Sequence, residues 1–143
     1  MTSIATAEIC SGAFVNIALT ANIPASFLWL ASDNPNVTGE NTLQQSGTSI
    51  SDFLINTTTQ NQLVVYSIIP TSLAAGCVGE AQTIAVLVRP PLALISDDTI
   101  SICSDNLVNL TFQANASASF NWFANDNQLV QGESTSVQNS KGY

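Results

Sequence analysis

Apolar residues recur at every second position in four stretches of the chain: Val15, Ile17 and Leu19; Phe27, Trp29 and Ala31; Val64, Tyr66 and Ile68; and Ile84, Val86 and Val88. A period of two sends successive side chains to opposite faces of a strand, so each stretch is predicted to be a half-buried β-strand. Ser49 to Ile55, SISDFLI, supplies a further strand, and no stretch sustains a helical period. The segments between them, such as SDNPNVTGEN (Ser32 to Asn41) and NTTTQNQ (Asn56 to Gln62), are rich in Asn, Gly, Pro and Thr and are predicted to be turns and loops. This spacing of short strands suits an all-β antiparallel sandwich.

The pattern also repeats. ICSGAFVNIALTANIPASFLW (Ile9 to Trp29) aligns without a gap on ICSDNLVNLTFQANASASFNW (Ile102 to Trp122), at an offset of 93 positions (102 − 9 = 93). The copies agree at the opening Ile-Cys-Ser, at Val-Asn, at Ala-Asn, at Ala-Ser-Phe and at the closing Trp. Each is predicted to be the opening pair of strands of one domain, with Trp29 and Trp122 as core anchors between two sheets and Tyr66 likewise at a core phase of its strand. Arg89-Pro90-Pro91 divides the copies. Two prolines remove two ladder donors and fix two φ angles, so a strand does not run on through them. Residues 1–91 are therefore expected to form one β-sandwich. Residues 92–143 are expected to form the opening part of a second, incomplete one, with an entry strand from Leu92, a strand through Val108, Leu110 and Phe112, and a strand at Phe120 to Phe123.

Composition narrows the function classes. Only 8% of the 143 residues are charged, against about a quarter in ordinary soluble domains, so solubility rests on Ser, Thr, Asn, Gln and Asp. A net charge of −8, with Arg89 and Lys141 the only Lys or Arg residues, removes the electrostatic attraction that nucleic acids and anionic membranes require. The chain has no histidine, the commonest general base and metal ligand. Glu8, Asp33, Glu40, Asp52, Glu80 and Asp126 mostly fall in predicted loops or strand ends with no carboxylate partner, and no serine has a base beside it in the pattern. These features argue against an enzyme. No apolar run reaches the length of a membrane span, and the first residues lack the basic and apolar regions of a signal peptide.

Three cysteines add a constraint. Cys10 precedes the first strong strand and Cys77 lies in the glycine-flanked loop AAGCVGE, both near predicted strand ends. The expectation is a Cys10–Cys77 disulfide, closing a loop worth roughly 4 kcal/mol on a chain-entropy account. Cys103 is the counterpart of Cys10, so it is expected to be unpaired in this segment, with its partner beyond Tyr143. Without His or a CxxC spacing, none of the three looks like a metal ligand or nucleophile. Disulfide use and the low charge favour an extracellular setting.

At this level of detail residues 9 to about 91 resemble the PKD-like repeats of very large cell-surface proteins in Bacteroidota, of which the SprB-type gliding adhesins are the best-known carriers. The resemblance rests on ICSG, the Phe27-to-Trp29 strand, NPNVTG, NTTT, VVYSIIPTS, GCVGE and the closing Val-rich strand before Pro. Residues from about 93 onward, ICS followed by FNWFANDNQLVQGESTSV, resemble the start of Ig-like repeats found beside them. The resemblance implies an immunoglobulin-like sandwich used as a spacer or adhesive module, exported by type IX secretion and held at the outer membrane. Its partners would be neighbouring repeats of the same chain and a surface polysaccharide or other extracellular surface. No cofactor is expected; Asp97 and Asp98 are weak calcium candidates. Asp98-Thr99-Ile100 resembles a Bacteroidota O-glycosylation acceptor at Thr99. Two other classes stand against this reading: a carbohydrate-binding or accessory module of a secreted enzyme, which would need exposed aromatics, and a subunit that polymerises by exchanging strands.

Overall fold

The computed structural model describes residues 2–141 and divides into two compact units, Met1–Pro91 and Leu92–Tyr143. The first unit holds ten strands: β1 (Thr6–Cys10), β2 (Ala13–Phe14), β3 (Ile17–Ala18), β4 (Ala25–Ala31), β5 (Val37–Thr38), β6 (Gln45–Ser46), β7 (Ser49–Ile50), β8 (Phe53–Asn56), β9 (Gln62–Ser72) and β10 (Gln82–Arg89). One layer is a five-stranded sheet in the order β1-β10-β9-β4-β6, antiparallel except that β1 runs parallel to β10. The other layer is made of β2-β8-β5 and the pair β3-β7. This is an all-β, immunoglobulin-like sandwich.

The alternation read from the sequence fixes which faces meet. Phe27, Trp29 and Ala31 of β4, Val64, Tyr66 and Ile68 of β9, and Ile84, Val86 and Val88 of β10 turn inward and are buried. Val15, Ile17, Leu19, Val37, Ile50 and Leu54 meet them from the opposite layer in one apolar cluster. At about 1.5–3 kcal/mol for each large side chain removed from water, this cluster is the main source of the unit's stability. Trp29 packs edge-on against Tyr66, with ring centroids 5.9 Å apart, a geometry in which the positive ring edge meets the negative face. Pro70 is tolerated within β9 because it lies beyond Ile68, the last residue of β9 that pairs with β10; no β10 ladder bond needs its missing N–H.

Two predicted strands are broken, for a local reason. In place of one strand from Val15 to Leu19, β2 ends at Phe14 and β3 begins at Ile17, on either side of Asn16, which has φ +48°, a left-handed conformation that Asn tolerates better than most residues. Ser49 to Ile55 likewise divides into β7 and β8 at Ser51 and Asp52. The second-layer strands thus change partner midway: β2 pairs with β8 and β3 with β7, while Val15 N–H donates to the Asp52 carbonyl at the crossing (2.9 Å). The Ser32-to-Asn41 segment, expected to be only loop, contains β5. Strand β1 lies where no strand was expected.

The predicted Cys10–Cys77 disulfide is not formed. Both thiols are free and exposed, as is that of Cys103. Cys10 pairs with Arg89, at the Gln62 end of β9, whereas the Cys77 carbonyl accepts from Ser72 N–H at the other end (2.9 Å). Strand β9 has 11 residues, so the two cysteines are separated by roughly 30 Å along it. A disulfide requires Cα atoms within about 7 Å. Both cysteines lie near strand ends, but at opposite poles of the sheet.

In the second unit, β11 (Ser119–Trp122) pairs antiparallel with β12 (Gln138–Lys141), and a single bridge joins Leu94 to Ala114. The strands expected from Leu92 and through Val108, Leu110 and Phe112 are not formed among the described residues. Phe112 instead stacks on Phe120 (5.5 Å between centroids) and tilts against Trp122 (6.0 Å). Trp122 is only half-buried, unlike Trp29, because no second sheet of this unit closes over it among the described residues.

Candidate functional site

Asp52 is the one buried carboxylate among the described residues. It sits where β7 gives way to β8 and takes three donors. Its Oδ2 accepts from the Tyr66 hydroxyl (3.0 Å) and from Asn41 N–H (2.9 Å), and its Oδ1 accepts from Asn41 Nδ2 (2.5 Å). A buried charge is tolerable only when its oxygens are satisfied in this way. The result is a polar clasp through the core, joining β9, the β7–β8 junction and the end of the Ser32-to-Asn41 loop.

That loop is itself tied at several points. Asn34 Oδ1 accepts from Asn36 N–H (3.0 Å), the Asn34 carbonyl from Val37 N–H (2.9 Å), and Glu40 Oε1 from Asn34 N–H (3.2 Å). Asn34 Nδ2 reaches the Leu63 carbonyl (3.0 Å), anchoring the loop to β9. At the same end, the buried Asn56 spends its whole side-chain capacity. Nδ2 donates to the Gln60 and Val88 carbonyls (2.7 and 2.9 Å), and Oδ1 accepts from Thr58 N–H and Oγ1 (both 2.9 Å). These Asn and Thr residues, which looked like generic loop composition, are the ties that hold the turns rigid.

The arrangement is structural chemistry. Asp52 is fully engaged, Glu8 pairs with Arg89, and Glu40 is committed to Asn34. No group of three or more Asp, Glu, Cys or His side chains that could hold a metal ion occurs among the described residues. A family model for the PKD-like domain matches residues 7–91, more than half of the chain. The chain belongs to the PKD-like family. PKD-like domains are generally non-catalytic and typically belong to extracellular proteins, and the match ends at the proline that closes the first compact unit. No curated protein and no solved structure matches the chain. No helix among the described residues is long and apolar enough to cross a membrane.

Of the other candidates, Tyr66 is the core donor of the clasp and Trp29 packs edge-on against it. Trp122 lies in the second unit and takes no part in it. Asp97, Asp98 and Thr99 are all exposed in the second unit. Sequence reading missed two features of the PKD-like unit. One is a surface aromatic pair, Phe14 and Phe53, edge-on at 5.0 Å and 55% and 42% exposed. The other is the continuation of the 93-residue repeat beyond Trp29. ASDNPNVTGENTLQQS (Ala31 to Ser46) aligns on ANDNQLVQGESTSVQN (Ala124 to Asn139), keeping Ala, Asp-Asn, Val, Gly-Glu, Thr and Gln. Extending the ungapped alignment through the loop would have found it.

Tyr66 gives the clasp a pH signature. Burial, then the Asp52 charge and hydrogen bond, then the Glu40 charge raise its hydroxyl well above the usual 10.0. The folded state holds this proton more tightly than the unfolded chain, so the contribution is whole below pH 10 and is lost as pH rises beyond it. Urea midpoints between pH 9 and 11.5 should show the first unit losing about 1.4 kcal/mol per pH unit above about pH 10 from this group. Tyr66→Phe should lack that component of the slope.

Proposed function

We propose that this chain is a non-catalytic repeat segment of a large cell-surface adhesin or filament, of the SprB type found in Bacteroidota and exported by type IX secretion. The observation that carries the reading is the repetition itself. Asn127 N–H donates to Glu133 Oε1 (3.1 Å) as Asn34 N–H does to Glu40, and Trp122 pairs with Gln138 as Trp29 pairs with Gln45. Two units built on one hydrogen-bonding plan, joined through Arg89-Pro90-Pro91, suit an array whose function is reach and display, with a polar exterior of low charge. Neighbouring repeats and an extracellular polysaccharide surface are the proposed partners. Thr99 is the proposed glycan acceptor, and a peptide map of native protein showing it unmodified would remove that part.

Immunoblotting of intact and protease-shaved cells with an antibody to residues 1–91 tests the proposal. A very large band that disappears on shaving is the expected result. A modest band in the culture medium would overturn it in favour of an accessory module of a secreted enzyme, with Phe14 and Phe53 as the sugar-stacking surface to probe.

A further inference from the structure

The second unit contains an apolar groove of about 650 Å³ lined by Ile102, Val108, Leu110, Phe112, Trp122 and Val130. At the offset of 93 positions (102 − 9 = 93) these are the counterparts of Ile9, Val15, Ile17, Leu19, Trp29 and Val37. In the first unit all six belong to or pack against the core cluster. The difference in exposure is large: 62% for Val108 against 5% for Val15, and 51% for Val130 against 4% for Val37. What covers them in the first unit is the inward face of β7 to β10, namely Ile50, Leu54, Val64, Tyr66, Ile68, Ile84, Val86 and Val88.

The backbone correspondence is equally close. Asn121↔Asn139 in β11–β12 repeats Leu28↔Ser46 in β4–β6. The Val130 N–H to Asn127 carbonyl bond (2.9 Å) repeats that of Val37 to Asn34, and Ala124 N–H to Ser134 carbonyl (2.8 Å) repeats Ala31 to Asn41. Two left-handed positions also agree: Gly132 at φ +91° and Gly39 at +98°, Asp105 at +65° and Gly12 at +77°. One edge is unmatched. Strand β4 pairs with β6 on one side and with seven residues of β9 on the other, whereas β11 has only β12 as a partner among the described residues.

We infer that the groove of the second unit is an acceptor for the second half of a PKD-like unit: strands carrying the buried pattern of β7 to β10, with the β9-type strand adding to the free edge of β11. The register follows from the filled copy. A Tyr in the place of Tyr66 pairs with Ala124, the counterpart of Ala31, and the residue in the place of Ile68 pairs with Trp122, the counterpart of Trp29. The first unit also fixes the route, because only Gly47 and Thr48 separate β6 from β7. A covering half joined directly after the β6-type strand therefore matches the connection used in the first unit. The ladder supplies backbone pairing and the alternate side chains supply specificity.

The test appends Ser51 to Pro91 directly after Tyr143 of the full chain, which keeps the offset because Tyr143 corresponds to Ile50 (143 − 93 = 50). A control fusion of equal length carries Ser in place of the copied Val64, Tyr66 and Ile68. Nitrogen-15 spectra report the two indole N–H groups separately, and Trp29 serves as the internal measure that the first unit remains folded. The expected result is amide exchange in β11 slowed by about a hundredfold or more, with a shifted Trp122 indole signal, in the fusion and not in the control. An unchanged Trp122 signal and unprotected β11 in the fusion, with Trp29 still native, would overturn the inference. So would equal protection in fusion and control. Neither result depends on where the protein is displayed, so failure here is distinguishable from failure of the surface-array proposal.

Discussion

Gly39→Ala is expected to lower the stability of the first unit by about 3 kcal/mol or more, seen as a large fall in the urea midpoint. Two effects add. Gly39 has φ +98°, a conformation that costs an L-residue roughly 1–2 kcal/mol. A Cβ there would also stand 2.0 Å from the Phe53 carbonyl oxygen, so β5 must move off β8 and draw the buried Val37 with it. Losing that burial adds about 1.5 kcal/mol or more. Gly12 is the matched control in the same unit: its φ is +77°, yet its added Cβ meets only the Phe53 ring at 3.9 Å, an ordinary contact. Gly12→Ala should therefore show only the backbone component. Equal midpoint shifts at both positions would mean that φ alone sets the cost and that the approach to Phe53 is irrelevant.

Asp52→Ala is expected to cost about 2–3 kcal/mol by a different route. Removing the carboxylate orphans the buried Tyr66 hydroxyl, at about 1–3 kcal/mol, and also breaks the two part-buried bonds from the exposed Asn41 that tie the loop to the β7–β8 junction. Tyr66→Phe removes one donor while Asn41 still satisfies the carboxylate, so its cost should be nearer 1 kcal/mol. Asp52→Asn should fall between, since the remaining amide oxygen can still accept from Tyr66 and Asn41 N–H while the new Nδ2 meets Asn41 Nδ2. Midpoints for the three variants decide it. If Asp52→Ala were no worse than Tyr66→Phe, the clasp would not be what joins β9 to the loop.

How far the sequence disclosed this fold depended on where the energy resides. The strands β4, β9 and β10 were legible because one face of each is buried, and burial enforces the period of two that sequence can display. The division of β2 from β3 was not, since it rests on one left-handed Asn16 and on a backbone bond to Asp52, neither of which leaves a periodic trace. The cysteines show a related limit. Pattern places Cys10 and Cys77 near strand ends, but which pole each end occupies depends on topology, and the parallel β1 that carries Cys10 to the Gln62 end had no signal strong enough to register. Asp52 and Asn56 were hidden for another reason. Buried polar residues interrupt hydrophobic patterns, so they resemble loop residues until their partners are seen. In the second unit, Trp122 occupies the position of Trp29 in sequence and in register, but burial is a property of both halves of a sandwich and cannot be inferred from one.

The parallel pairing of β1 with β10 sets how this unit would answer to mechanical load. Thr6 lies beside Ala85 and Cys10 beside Arg89, so the chain enters the ladder at one pole and leaves it at the other. Tension applied along the polypeptide would pull these two strands past one another lengthwise, and all five residue pairs, with the Glu8–Arg89 ion pair among them, would resist together. A hairpin loaded at its open end gives way one pair at a time. A tether built from units with this geometry would stay folded under drag that would unzip an antiparallel edge.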